Sequence, residues 1–139
     1  MWILSTLDSF RRLASWVSTI LIFAALGNLT MAALFKDYRL WNIVMAGSVF
    51  LLAIVAKRAL WTFETDPRCT IETIEKCFYV LFGIYVVSGI YVAGNERAPL
   101  GLPSLMLISL NVAVAIFVFR LGQKNISFAK SLTTERPRP

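Results

Sequence analysis

Histidine is absent from this chain, and cysteine appears only twice. The missing histidines exclude bis-histidine haem ligation, imidazole metal sites and a histidine general base. The two thiols, Cys69 and Cys77, are too few to close a zinc site. On one helix, eight residues apart, they would stand about 12 Å apart along the axis. A disulfide needs a Cα separation below about 7 Å, so the pair stays open while helical.

Charge is also scarce. Only 16% of the 139 residues are charged, against 58% that are hydrophobic. A soluble domain is about a quarter charged. An excess of apolar side chains on this scale calls for lipid as part of the solvent. The length leaves no room for a separate soluble catalytic domain beside several spanning helices. The formal charge of +6 suits the lysines and arginines that membrane proteins hold against anionic lipid headgroups. Nucleic acid is not an expected partner.

What is present is four apolar stretches. They predict spans over about 13–35, 41–60, 74–94 and 100–120, the second and third reaching full length only with their flanks. A bilayer core takes about 20 apolar residues per helix. The first reads as a retained span, since Gly27-Asn28 interrupts it without a small-x-small cleavage pattern. The expected fold is an all-α membrane protein. Its four transmembrane helices form an up-down-up-down bundle of two parallel hairpins, a single domain over 1–130. A faint parallel repeat supports the hairpins: Gly27-Asn28 echoes Gly94-Asn95, and Ala53-Ile54 echoes Ala115-Ile116.

Charge sets the orientation. On the side of both termini and the middle connection lie Arg11, Arg12, Lys57, Arg58, Arg68, Lys76, Arg120, Lys124, Lys130, Arg136 and Arg138. The other side has Lys36, Arg39 and Arg97, a split of 11 to 3. This expects a multi-pass protein of the cell inner membrane with both termini cytoplasmic. Trp16, Trp61 and Tyr79 fall near the inner interface; Tyr38, Trp41 and Tyr91 fall near the outer one.

Short turns are expected outside, at 36–39 and 95–99, and a longer connection inside. Asp66-Pro67 there reads as an N-cap followed by proline at the first helical position, so the third helix should protrude from the membrane. Arg68/Glu72 and Glu72/Lys76 fall at i,i+4. Glu64, Asp66, Glu72 and Glu75 read as a solvated, self-paired surface. At the N-terminus Ile3, Leu7 and Phe10 share a stripe. Residues 1–11 therefore read either as a short interfacial helix or as an extension of the first span. The tail 131–139, with two prolines, is expected to be disordered. The sequons Asn28-Leu29-Thr30 and Asn125-Ile126-Ser127 lie in a span and on the inner side, so neither suits glycosylation.

No span carries an Asp, Glu, Lys, Arg or His in its central part. Coupled transporters usually need one there. The polar and small residues that remain are Ala24, Asn28 and Ala32 in the first span, Gly89 and Ala93 in the third, and Ser104, Asn111 and Ala115 in the fourth. Small residues let helices approach closely, and amides hydrogen-bond across the contact. These eight are the candidates for helix packing or for lining a pore. The expected function is a non-catalytic subunit or scaffold of a membrane complex, packed against itself or other membrane proteins. The alternative is an oligomeric, holin-like pore or a flippase accessory. No catalytic, metal or cofactor-binding residue is assigned.

Overall fold

The computed structural model describes residues 6–34, 36, 38–95 and 102–134, with side chains for all of these except 92–95, 102–104 and 107. Four helices follow in chain order: α1 (Leu7–Leu34), α2 (Arg39–Trp61), α3 (Pro67–Asn95) and α4 (Leu102–Thr134). Each is long and apolar enough to cross a membrane. Among the described residues there is no strand. This is an all-helical protein with the helix lengths of a multi-pass membrane protein.

The boundaries follow local chemistry. Asp66 Oδ1 accepts the Cys69 N–H at 3.0 Å, so the expected cap starts α3 at Pro67. The end of α2 is tied to it by Thr70, which is 1% exposed. The Thr70 hydroxyl donates within 3.0 Å of both the Ala59 and Asp66 carbonyls. That satisfies the one side-chain donor that burial takes from solvent.

One end differs from the sequence expectation. α4 does not stop at residue 120 but runs to Thr134, so residues 131–134 of the expected disordered tail are helical. Arg120 closes the apolar stretch, not the helix. Beyond it Ile126 and Ala129 are buried, and the hydroxyls of Ser131, Thr133 and Thr134 bond to carbonyls one turn back. Residues 135–139 lie outside the described ones. α1 is continuous from Leu7, so residues 7–11 are its opening turn. The first five residues, on which half of the interfacial-helix reading rests, lie outside the described residues, as does the expected turn at 96–99.

The largest interface joins α1 to α2. Its seam is built from small side chains. Ser18, Ala25 and Ala32 recur every seven residues on α1, Ala46, Ala53 and Ala56 are small side chains of α2, and all of them are buried. Close backbone approach gives dispersion contacts that larger side chains would forbid. Ser18 returns its hydroxyl to the Ala14 carbonyl at 2.8 Å, so the seam holds no unpaired donor there.

The hydrophobic core sits at one end of the molecule, where α1 begins, α2 ends, α3 begins and α4 ends. Phe10, Leu60, Phe63, Ile71, Ile126 and Ala129 cluster there. Two ion pairs bridge elements around it: Arg11–Glu64 at 2.7 Å and Lys130–Glu75 at 2.5 Å. Arg68–Glu72 forms at 3.3 Å as its spacing predicts, while Lys76 joins no ion pair among the described residues. Three of the four acidic residues, Glu64, Glu72 and Glu75, are thus ion-paired while Asp66 caps α3, and two of the pairs reach to α1 and α4 instead of staying local. We call this the basic end.

Candidate functional site

Away from the basic end, α3 and α4 separate enough to leave a cavity. It measures about 410 Å³ and lies between α2, α3 and α4. Ligand pockets run from about 300 to 1,000 Å³. Its α2 wall is Met45 and Val49, its α3 wall runs from Phe78 to Ser88, and its α4 wall runs from Asn111 to Phe119.

One end of the cavity is aromatic. Phe119 stacks on Phe78 at 5.6 Å between centroids and tilts against Phe82 at 4.3 Å. Phe78 can lie this close to α4 because residue 122 is glycine. A Cβ on Gly122 would meet the Phe78 ring at 2.5 Å.

The other end is polar. The Tyr85 hydroxyl donates to Asn111 Oδ1. Trp41 Nε1 donates to Ser88 Oγ at 3.3 Å, and the Trp41 ring stacks on Tyr91 at 4.2 Å. The first turns of α2 are thereby fixed to the far part of α3. With its oxygen engaged, Asn111 keeps an amide NH2 that donates to no atom among the described residues. The Ser88 hydroxyl proton is likewise free to donate.

The cavity therefore offers a hydrocarbon and aromatic body with hydrogen-bond donors at one end. The described residues that line it include no carboxylate, cation or thiol. Among the described residues no group of three metal-ligating side chains occurs.

The eight sequence candidates divide. Asn111 and Ala115 both line the cavity. Ala32 is buried in the α1 seam. Ala24 is exposed, and Asn28 donates its amide to the Ala24 carbonyl at 3.0 Å, within its own helix. Gly89 is exposed, with open space where a Cβ would stand. The side chains of Ala93 and Ser104 lie outside the described residues. The spacing of four that linked Ala24, Asn28 and Ala32 thus gives way on α1 to a spacing of seven through Ser18, Ala25 and Ala32.

Tyr85 and Ser88 were not among the candidates. Their signal was present: a phenol and a hydroxyl one turn apart inside an apolar stretch, with an amide on the next one. Compared with known proteins, the chain matches no family model, no curated protein and no solved structure.

Proposed function

We propose that this chain is a non-catalytic membrane subunit or scaffold that completes its helix packing with a second copy or with other membrane proteins. In this reading the helices form an up-down-up-down bundle in the cell inner membrane. The basic end and both termini are cytoplasmic, against anionic lipid. One observation carries the proposal. α1 and α2 are closely packed, but the most apolar part of α3 has no buried residue, and α4 is exposed along nearly its whole apolar half. Met106, Leu110, Ala113 and Phe117 form an exposed stripe on the side of α4 opposite the cavity. A spanning helix held this loosely by its own chain gains dispersion contacts from another helix.

The test is the mass of the particle in mild detergent, combined with cross-linking in membranes of Met106→Cys and Leu110→Cys in a background lacking Cys69 and Cys77. Oligomers, a stoichiometric co-purifying subunit, or cross-links through α4 are expected. A strictly monomeric particle with no partner and no cross-link overturns the proposal.

A second reading, an oligomeric holin-like pore or a flippase accessory, draws on the polar end of the cavity. It is favoured by Asn111 and Ser88 facing a common space, although Asn28 does not share it. Leak of a dye from reconstituted vesicles, abolished by Asn111→Leu, is its expected outcome.

A further inference from the structure

We propose that the cavity between α2, α3 and α4 binds a prenylated quinone, with a ring carbonyl accepting hydrogen bonds from Asn111 and Ser88. The inference is separate from the subunit reading and rests on different residues.

Depth comes first. Asn111 precedes Arg120 by nine residues, or about 13.5 Å of helix. With Arg120 at the interface, that places the amide near the middle of a hydrocarbon core about 30 Å thick. At that level no water is available, and an unsatisfied donor is costly. Asn111 and Tyr85 are exposed at the open side of the cavity, where acyl chains offer no acceptor, so the Asn111 NH2 calls for one carried by a bound molecule, Tyr85 already donating to the amide oxygen.

Complementarity narrows the occupant. A phospholipid carries its carbonyls near the interface, too far from Asn111. A fatty acid would bring a carboxylate to a cavity with no cation among the described residues that line it, an arrangement that low dielectric disfavours. A prenyl alcohol could use the second lone pair of the Asn111 oxygen, but it brings no planar ring to the aromatic wall. A quinone carbonyl only accepts. Its planar ring suits the aromatic walls of Tyr85 and Phe82. Along α3 the lining extends ten residues from Phe78 to Ser88, about 15 Å. That is an elongated path, apolar beyond the polar end, for the first part of an isoprenoid tail.

The experiment uses the full chain in phosphatidylcholine–phosphatidylglycerol nanodiscs, with Trp2, Trp16 and Trp61 replaced by Phe so that Trp41 alone reports. A benzoquinone with a two-isoprene tail is titrated, and the same prenyl chain without a ring serves as control. Saturable quenching of Trp41 by the quinone only is expected. Asn111→Leu should weaken binding about tenfold, the scale of one lost hydrogen bond. The infrared carbonyl band of the bound quinone should shift down and return to its free position in Asn111→Leu. Val49→Phe, which fills the α2 wall, should abolish binding while helix content stays unchanged. Unsaturable quenching, an equal response to the ring-free chain, or a carbonyl band that Asn111→Leu does not move would overturn the proposal. Cross-linking of a second copy into the cavity would do so as well. The subunit reading fails instead on particle mass and α4 cross-links, so the two failures are distinguishable.

Discussion

The Tyr85 hydroxyl donates to the Asn111 amide oxygen and so joins α3 to α4 across the polar end of the cavity. Hydrogen bonds between spanning helices contribute about 0.6 kcal/mol on average and up to about 1.7. Tyr85→Phe and Asn111→Leu should each destabilise the helical fold on that scale. The double variant should cost less than the sum, because either change alone removes the same bond. Unfolding of all four proteins in mixed micelles gives the coupling. A coupling indistinguishable from zero would mean that the bond does not hold the helices together.

The α1–α2 seam predicts a sharp contrast between neighbouring alanines. Ala25 is 2% exposed and Ala53 is fully buried, whereas Ala24 is exposed. Ala25→Leu or Ala53→Leu forces extra methylenes between two backbones, at a cost of about 1–3 kcal/mol. Ala24→Leu should leave the stability of the single chain unchanged. If Ala24 also lies in a contact between copies, that variant will instead lower the particle mass. Thermal unfolding and light scattering on the three variants separate these effects.

Much of the fold was readable before any coordinate. Apolar length marked each spanning stretch, and Asp66-Pro67 fixed the start of α3. What escaped was which small residues meet. Ala24, Asn28 and Ala32 lie four apart, and so do many small residues in spanning helices. Only packing against α2 selects Ser18, Ala25 and Ala32. The end of α4 escaped for a related reason. Hydropathy falls after Arg120, but Ile126 and Ala129 find a core contributed by residues as distant as Phe10. The cavity was half legible. Asn111 and Ala115 stood out as polar and small, while Tyr85 and Ser88 gain meaning only from the helices opposite them.

Glycine tests the aromatic end. At Gly122 an added methyl meets the Phe78 ring, whose position is also set by stacking on Phe119. At Gly47 and Gly83 nothing stands within 4 Å of the new methyl. Gly122→Ala should therefore destabilise by about 1–3 kcal/mol, less what the better helix former restores. Gly47→Ala and Gly83→Ala should be neutral or stabilising. Melting temperatures of the three variants check the order. Gly122→Ala in combination with Phe78→Leu should recover part of the loss, since a smaller side chain leaves room for the methyl.

The two cysteines report on the basic end. Cys69 is exposed on the first turn of α3, and Cys77 is half-buried two turns further along. A membrane-impermeant maleimide should modify Cys69 first and Cys77 slowly. If the basic end is cytoplasmic, labelling of Cys69 should fail in intact cells and proceed in inverted membrane vesicles. Labelling in intact cells would reverse the orientation proposed from charge. Asp66 adds a second test, because its carboxylate holds the Cys69 N–H. Asp66→Ala removes that cap at a cost of about 1 kcal/mol to the helix start. Thermal unfolding of Asp66→Ala beside the parent chain reads that loss, while Cys69, already exposed, should keep its fast labelling and Cys77 its slow rate.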